Sequence, residues 1–375
     1  MSGIIIGISI KAFVDLQNYI LLVKNIKRLL FKITHWETWH YLAKYIPIAP
    51  VWLWYCIRAR SFWFFTTSNP TITFGGFEGE TKREMYEQLP LQLYPKSIYI
   101  SFTSLFDDVE EEVKKNCIYY PLVVKPDAGM MGFMFRKIHN SSELKQYHKS
   151  MPADYIIQQL IDYPLEVSVF YYRFPGQLTG TITGFIKKEF LQVTGDGVST
   201  LAMLIGNYDR ATWRLEELQS KHADRLQEVI PSGSQYILSH ALNLSRGSKL
   251  VSLENEKDEK LLKVFDAISL HTKYFYYGRY DIKCASVEAL KEGKDFCILE
   301  YNGCGAEPHH IYGNGNNIFQ AYGIVLKHWK VLYEISTINH RRGIPYWSYR
   351  KGRDFLRNAK KHFRMLKQLD IATSV

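Results

Sequence analysis

The sequence predicts an α+β fold, because strand-like and helix-like segments follow one another between residues 97 and 335. The strand-like runs are rich in Val, Ile, Tyr and Phe and are separated by turn residues, as at Tyr163–Pro164 and Pro175–Gly176. Helix-like runs repeat their apolar side chains at a period near 3.6, as between Leu261 and Leu270. Hydrophobic residues make up 46% of the 375 residues and charged residues 22%, which excludes a disordered or fibrous chain.

Eight runs have the composition expected of strands. In chain order they are SIYISF (97–102), YYPLVVKP (119–126), FMFRKI (133–138), DYIIQQLI (154–161), LEVSVFYYRF (165–174), LTGTITGFIKK (178–188), FYYGRYDIKC (275–284) and DFCILEYN (295–302). Asn140, with Glu143 three residues later, is typical of a helix N-terminus. Further helices are predicted over residues 107–116, 198–230, 256–273, 315–335 and 350–369. The elements divide the chain into an aromatic-rich, partly helical N-terminal region (1–96), an α+β body (97–335) and a basic helical tail (336–375).

The positive charge of the chain is concentrated near its C-terminus. The formal net charge is +10, yet residues 341–367 alone hold ten Lys or Arg against one acid. Such a segment attracts anionic partners, which include nucleic acid and acidic lipid. Tyr346, Trp347 and Tyr349 lie among these basic residues and could stack on bases, but the segment carries no RNA-binding motif. Peripheral contact with an anionic membrane therefore stays open as an alternative, whereas nucleic acid is disfavoured as a partner.

Residues 31–65 are unusually aromatic, with twelve aromatic side chains and five of the eight tryptophans. One interpretation is a helical cap whose rings pack on the main domain. The other is an interfacial helix, because Trp and basic residues favour the boundary between lipid and water. The most apolar run, residues 45–57, is interrupted by Pro47 and Pro50 and falls short of the ~20 residues of a membrane span. No spanning helix is therefore predicted.

The cysteines and the N-terminus favour a cytoplasmic location. The five cysteines form no CxxC pair and their number is odd, which argues against a disulfide framework or a zinc ribbon. The N-terminus lacks an early basic segment and a small-residue cleavage site, so no signal peptide is predicted. Peripheral attachment to a membrane is the alternative location.

Two late strand-like runs carry acidic residues in otherwise apolar surroundings. Arg279 and Asp281 are two residues apart, as are Glu300 and Asn302, so each pair projects from one face of its strand. If the strands are neighbours, Asp281, Glu300 and Asn302 offer three hard oxygen ligands that suit Mg²⁺. The alternative is a surface ion pair with a solvated strand end, but burying carboxylates without a partner or a metal is costly.

A second candidate group follows the strand that ends at Lys125. This lysine directly precedes a loop containing Gly129 and Gly132. A lysine next to exposed backbone N–H groups can hold phosphates. On its own the pattern is weak, because a lysine at a strand end is usually only solvated.

The order of five motifs resembles the ATP-grasp superfamily, in particular its D-alanine–D-alanine ligase and cyanophycin-synthetase-like branches. The resemblance covers roughly residues 97–335. Its motifs are YYPLVVKPDAGMMGF, IIQQLIDYPLEVSVF, FIKKEFLQVTGDGVSTLAMLI, HALNLSRGSK, and GRYDIKC followed by ILEYNGCG. Each motif is common by itself, and the five in this order are specific. The resemblance implies an ATP-grasp fold, in which two α+β subdomains clasp ATP.

The resemblance also implies a nucleotide site. Lys125 matches the phosphate-binding lysine, Glu166 the ribose-binding acid, and Gln159 a position near the adenine amino group. The loop of residues 127–133 would close over the phosphates, and of the two adjacent lysines Lys188 aligns better than Lys187. The implied ATP-binding set is Lys125, Gly129, Met130, Met131, Gly132, Gln159, Leu160, Ile161, Glu166, Lys187 and Lys188.

The implied activity is an ATP-dependent carboxylate–amine or carboxylate–thiol ligase that forms an acylphosphate and a C–N bond from small-molecule substrates. Asp281, Glu300 and Asn302 would bind two Mg²⁺ ions, with Arg279 and Lys188 as the catalytic cations. The implied substrate contacts are Arg246, Glu307, His309 and His310, with a neutral histidine as a potential general base. The alternatives are a non-catalytic nucleotide-binding scaffold at a membrane surface and a nucleic-acid binder that uses the basic tail.

Overall fold

A computed structural model describes residues 35–208, 215–239 and 248–373, which form two compact units. The smaller unit comprises the described residues within Met1–Ala49 and Phe190–Lys249, and the larger those within Pro50–Glu189 and Leu250–Val375. Helices and strands occur in both, so the predicted α+β class is confirmed. The three-part division at residues 96 and 335 stays a prediction.

Two antiparallel sheets organise the larger unit. The first has the strand order β1-β4-β2-β3, and the second the order β11-β10-β5-β6-β9. Their strands are β1 (Ser97–Ile100), β2 (Leu122–Pro126), β3 (Arg136–Ile138), β4 (Tyr155–Gln159), β5 (Leu165–Tyr172), β6 (Thr181–Glu189), β9 (Lys249–Ser252), β10 (Tyr277–Cys284) and β11 (Phe296–Asn302). Every run predicted to be a strand overlaps one of these strands.

Helices cover both sheets of this unit. They are α2 (Ala49–Ala59), α3 (Lys82–Tyr86), α4 (Phe106–Lys115), α5 (Ser141–Ser150), α8 (Glu259–Thr272), α9 (Val287–Lys291), α10 (His310–Gly313), α11 (Ile318–Arg341) and α12 (Tyr349–Ala372). Short 3₁₀ turns lie at Phe64–Thr67, Thr73–Gly76, Leu91–Leu93 and Glu254–Glu256. The Asn140 side chain accepts a hydrogen bond from the Glu143 N–H, so the predicted cap of α5 is confirmed.

The smaller unit contains α1 (Tyr41–Tyr45), β7 (Leu191–Thr194), α6 (Leu201–Asn207), α7 (Leu215–Lys221) and β8 (Gln235–Ser239), with 3₁₀ turns at Trp36–Thr38, Ile46–Ile48 and Ala223–Arg225. Strands β7 and β8 pair antiparallel. The predicted continuous helix over 198–230 is wrong in extent. Helix α6 ends where Tyr208 takes an extended backbone. The chain near residue 229 forms a β-bridge to Thr200.

The aromatic segment within Pro50–Phe65 packs on the long C-terminal helices, as the first interpretation predicts. The Trp52 and Phe64 rings lie 4.9 Å apart, and Tyr55 stacks on Tyr333 of α11 at 4.7 Å. Trp63 Nε1 donates to the Tyr349 carbonyl of α12 at 3.1 Å. The outer face of α2 stays exposed.

The basic tail forms an integral helix of the larger unit. Helix α12 begins at the Ser348 cap and buries Ala359, Phe363 and Leu366 in the core of the first sheet. Asp370 near its end accepts the Met134 N–H at 2.9 Å. The positive charge therefore lies on the outer face of a docked helix. In the described part of the chain, no helix is both long and apolar enough to cross a bilayer.

Candidate functional site

Strands β10 and β11 bring the four predicted side chains together. They pair antiparallel with Asp281 opposite Glu300 and Arg279 opposite Asn302. Directly opposed residues of an antiparallel pair have Cβ atoms about 4.5–5.5 Å apart. The strands are therefore neighbours, as the sequence analysis required, while the roles of these residues stay predictions.

The pairing is interrupted next to this point by a bulge. Ile282 pairs with Ile298, so Leu299 has no partner residue on β10. Its carbonyl instead accepts hydrogen bonds from the Tyr86 hydroxyl at 2.5 Å and from Lys125 Nζ at 3.4 Å. The bulge thus connects the predicted phosphate lysine to the strand that carries Glu300.

Asp281 is buried among cationic and polar groups. Arg279 donates two hydrogen bonds to its carboxylate, both at 3.0 Å, and the Ser168 hydroxyl donates a third at 2.6 Å. Lys188 Nζ lies 3.3 Å from the same carboxylate. Burial would raise the pKa of Asp281, but Arg279 and Lys188 hold the pKa well below its ordinary value. The Asp281 side chain is therefore a carboxylate at neutral pH.

The two adjacent lysines of β6 have different surroundings. Lys188 is 7% exposed, and its Nζ lies 3.1 Å from Glu166, its cross-strand partner on β5. Burial would lower the pKa of Lys188, but Asp281 and Glu166 raise it above the ordinary value. Lys187 is 34% exposed and pairs with Glu189 at 3.0 Å. Lys188, and not Lys187, therefore belongs to the charged cluster.

Glu300 pairs with Lys82, a residue that the sequence analysis missed. Lys82 Nζ lies 3.3 Å from Glu300 Oε1 and donates to the Gly129 carbonyl at 3.2 Å. Burial would raise the pKa of Glu300, but Lys82, Lys125 and Arg279 lower it below the ordinary value. Lys82 begins α3 directly after the Thr81 cap. Thr81 could have been recognised in the sequence as the cap of a helix, but it does not indicate that Lys82 lies next to Glu300.

Glu80 is a second residue that sequence reasoning missed. Two backbone hydrogen bonds hold the loop before Glu80 against the loop after β11. The Cys304 N–H donates to the Gly75 carbonyl at 3.1 Å, and the Gly305 N–H donates to the Gly76 carbonyl at 3.0 Å. Within the described residues, Glu80 Oε2 is buried and has no hydrogen-bond partner. Burial raises the pKa of Glu80 to about 7. A carboxyl oxygen in such a place requires a donor, because leaving it unpaired costs about 1–3 kcal/mol or more.

The predicted phosphate loop follows Lys125 and is anchored at several points. Lys125 Nζ contacts the Tyr86 hydroxyl at 3.0 Å, and its burial lowers its pKa to about 8. The Lys82 N–H donates to the Asp127 carbonyl at 3.0 Å, and His362 of α12 contacts the Ala128 carbonyl at 2.8 Å. Four residues of the loop are partly or fully exposed, namely Gly129, Met130, Met131 and Gly132.

The predicted base-binding segment lies at the end of β4. The Gln159 N–H donates to the Lys96 carbonyl at 3.0 Å, and the Gln159 side chain is exposed. Leu160 follows, and the Ile161 carbonyl accepts from Lys283 Nζ at 3.1 Å. Lys283 was not singled out from the sequence. It lies on β10 opposite Glu166 of β5.

The loop after β11 meets the charged cluster from one side. The Glu307 carbonyl accepts from Arg279 at 3.0 Å, and His309 Nδ1 lies 3.5 Å from the Ser168 hydroxyl. Burial lowers the pKa of His309 well below its ordinary value and that of His310 to about 4. Both imidazoles are therefore neutral near pH 7, and the substrate and general-base roles of His309 and His310 stay predictions. Arg246 lies outside the described residues.

The predicted metal ligands include an amide side chain, so they differ from a set of ligands made only of His, Cys, Asp and Glu. Throughout the described residues, no group of three or more such side chains is arranged to hold a metal ion. The predicted set instead combines two carboxylates with the Asn302 amide, whose Nδ2 lies 3.3 Å from Asp281. Its oxygens match the hard donors that Mg²⁺ prefers.

Replacing Lys125 with Met is expected to stabilise the nucleotide-free protein at neutral pH while weakening ATP binding. A lysine whose pKa is lowered on folding costs stability as long as it is protonated in the unfolded chain. This penalty is complete below about pH 8, decreases as the pH rises above 8, and is lost near the ordinary lysine pKa of 10.5. The gain has an upper bound of about 3 kcal/mol at pH 7 and should shrink above pH 8. Chemical denaturation at several pH values measures it.

The matched control is Lys115→Met, because Lys115 is an exposed lysine on α4. That variant should leave both stability and ATP affinity unchanged. If Lys125→Met proves less stable than the parent at pH 7, the buried lysine is not under the strain that its surroundings indicate.

No family model and no curated protein sequence matches the chain. Solved structures do. A bifunctional glutathione synthetase from Pasteurella multocida is 15% identical, with a TM-score of 0.41, and the match covers 66% of this chain and 36% of that one. A D-alanine–D-alanine ligase from Bacillus anthracis is 16% identical, with a TM-score of 0.40 and coverages of 70% of this chain and 69% of that one. The VanG D-Ala:D-Ser ligase from Enterococcus faecalis is 13% identical, with a TM-score of 0.40 and coverages of 69% of this chain and 62% of that one.

These matches include the D-alanine–D-alanine ligases that the sequence motifs resemble. The chain corresponds to less than two thirds of the glutathione synthetase and of the VanG ligase. With identities of 13–16% and TM-scores near 0.4, the similarities by themselves assign neither a family nor an activity to this chain.

Proposed function

We propose that this protein is an ATP- and Mg²⁺-dependent ligase that joins a small-molecule carboxylate to an amine or a thiol through an acylphosphate. The observation that carries the proposal is the register of β10 and β11, which sets Asp281 opposite Glu300 and Arg279 opposite Asn302. Lys188 and Lys82 pair with these carboxylates. Asp281, Lys188 and Lys82 are largely buried, whereas the Glu300 side chain is 37% exposed. Burying charges is costly, and their retention favours a role in binding or chemistry.

The lysines of the cluster suit the phosphates of ATP. Lys125, Lys188 and Lys82 are all largely buried, and cations in a site of low polarity attract phosphate oxygens more strongly than they would in water. Lys82 Nζ also binds the Gly129 carbonyl. It therefore links the phosphate loop to Glu300. Glu166, which lies 3.1 Å from Lys188, would accept hydrogen bonds from ribose hydroxyls.

Magnesium fits the donors of the opposed strands. Asp281 and Glu300 are both held as carboxylates by neighbouring cations, and Asn302 adds an amide oxygen. These three residues would hold the ion. When bound, Mg²⁺ neutralises the charge that spreads over a transferring phosphoryl group.

Glu80 is the residue that we propose binds the amino group of the substrate. Its buried oxygen, which has no hydrogen-bond partner among the described residues, would bind the ammonium group of a substrate, because an ammonium supplies both the donor and the charge. The loop of Glu80 lies against the loop after β11, where Arg279 holds the Glu307 carbonyl. We therefore place the carboxylate substrate near Arg279 and its amino group near Glu80.

The ligase activity is tested by a screen of amino acids and dipeptides that reads ADP and phosphate release, followed by mass spectrometry of the products. We expect release that depends on Mg²⁺ and on a substrate carrying both a carboxylate and an amine. ATP binding with no product across the screen would favour the non-catalytic nucleotide-binding scaffold instead.

Replacing Lys188 with Ala is expected to weaken Mg-ATP binding by about 10-fold or more, since a charge-assisted hydrogen bond contributes roughly 1.5–3 kcal/mol. Lys187→Ala is the matched control, because Lys187 lies next in sequence but pairs with Glu189. Isothermal titration calorimetry measures both affinities. Equal affinities of the two variants would remove Lys188 from the proposed phosphate site.

A further inference from the structure

We propose that the outer surface formed by α2 and α12 binds anionic phospholipid membranes. This surface, which we call the docking face, has an apolar half on α2 and a basic half on α12. Both halves belong to the larger unit. The inference concerns residues outside the nucleotide site and is independent of the ligase activity.

The apolar half is a helix face with no partner in the described residues. Leu53, Trp54 and Ile57 are 52%, 55% and 69% exposed. At positions i, i+1 and i+4 they project from one side of α2. The opposite side carries Trp52, which packs on Phe64, and the buried Cys56. Two long aliphatic side chains and a tryptophan side by side in water require an explanation.

The basic half is a groove along α12. The groove has a volume of about 500 Å³, and its charged lining consists of Arg353, Arg357, Lys360, Lys361 and Arg364. Asp354 pairs with Arg353 at 2.9 Å and lies 3.6 Å from Arg357. For Lys361 and Arg364, no acidic partner occurs among the described residues. Glu78 also interacts with Lys360. Five basic side chains against Asp354 and Glu78 leave the groove with an excess of positive charge.

An aromatic pair connects the segment after α2 to the start of α12. Phe62, just after α2, lies edge-on to Tyr349 at the start of α12, with their ring centroids 6.1 Å apart. Both rings are exposed, and Phe62 and Tyr349 also line the basic groove. Aromatic side chains at the junction of an apolar and a charged surface suit the headgroup level of a bilayer.

The combination of features favours a membrane over a nucleic acid. Both partners carry phosphates that would pair with the basic side chains of the groove, and both would interact with the aromatic rings. Only a bilayer provides an apolar layer for Leu53 and Ile57, because a nucleic acid offers stacking faces and phosphates but no aliphatic surface. An anionic leaflet therefore matches both halves of the docking face at once.

The test uses the full chain and vesicles of phosphatidylcholine with or without phosphatidylglycerol. We expect co-sedimentation with the anionic vesicles that decreases at high salt, and little with the neutral ones. Lys361→Glu/Arg364→Glu should weaken the binding by about 30-fold or more, since each basic residue near the surface adds roughly 1 kcal/mol. Lys114→Glu/Lys115→Glu on α4 is the charge-matched control and should bind as well as the parent.

The apolar half is tested separately. Leu53→Ser/Ile57→Ser should reduce vesicle binding, while Phe319→Ser, which removes an exposed ring on α11, should not. Brominated lipids should quench the fluorescence of Trp54, and Trp54→Phe should remove that quenching. Circular dichroism checks that each variant is folded.

Three results would overturn the proposal. They are vesicle binding unaffected by Lys361→Glu/Arg364→Glu, retention on RNA but not on anionic vesicles, and self-association through the docking face without lipid binding. The second would assign the basic groove to nucleic acid, and the third would assign the apolar half to a second copy of the chain.

Discussion

Replacing Glu300 with Gln is expected to lower ATP turnover by about 100-fold or more while the protein stays folded. The substitution keeps the size of the side chain but removes a carboxylate that Lys82 pairs with at 3.3 Å. The charge lost is one that would bind Mg²⁺, and removing a single electrostatic group at such a centre costs roughly 10²–10³ in rate. Release of ADP and phosphate at saturating ATP measures the effect.

Glu292→Gln provides the control for this substitution, because Glu292 is an exposed carboxylate paired with Lys294. The control should retain full turnover. The melting temperatures of both variants should stay near that of the parent, since Glu300→Gln also relieves the repulsion between Glu300 and Asp281. Undiminished ATP turnover in Glu300→Gln would defeat the magnesium assignment.

Replacing Arg279 with Ala is expected to destabilise the protein by about 3–5 kcal/mol, in addition to stopping ligation. The guanidinium makes two 3.0 Å hydrogen bonds to Asp281 and one to the Glu307 carbonyl. Its removal leaves a buried carboxylate that retains Lys188 and Ser168 but loses its bidentate partner. Chemical denaturation measures the loss of stability, and single-turnover ADP formation measures the loss of chemistry.

Arg279→Lys separates charge from geometry. A lysine retains the positive charge but cannot form the bidentate contact, so we expect it to recover much of the stability and little of the ligation. If Arg279→Ala unfolds at the same denaturant concentration as the parent, the pair with Asp281 contributes nothing to the fold. The contact with Asp281 makes a structural cost unavoidable.

Much of the fold was predictable because local patterns specify it. The alternation in FYYGRYDIKC and DFCILEYN correctly predicted β10 and β11, and the apolar period after residue 256 predicted α8. The helix over 198–230 failed because a helical composition does not reveal where the chain turns back. Tyr208 is extended there, and the chain near residue 229 pairs with Thr200.

The residues with a direct chemical signal in the sequence were also identifiable. The two-residue spacing of Arg279 with Asp281, and of Glu300 with Asn302, requires each pair to share a strand face. The two faces meet if β10 and β11, which are consecutive strands, pair with each other. The basic tail was likewise visible as charge, and its helix as a pattern.

What the sequence determined by itself was the class of fold, the positions of the strands and the set of charged residues on them. Only the tertiary structure decided which charges meet: Lys82 with Glu300, Lys188 with Asp281 instead of Lys187, and Glu80 buried with no partner in the described part of the chain. The physical reason is that periodicity is a local property of the chain. Contacts such as Lys82–Glu300 join residues more than 200 positions apart, and they depend on a bulge, a cap and the packing of loops that no local pattern records.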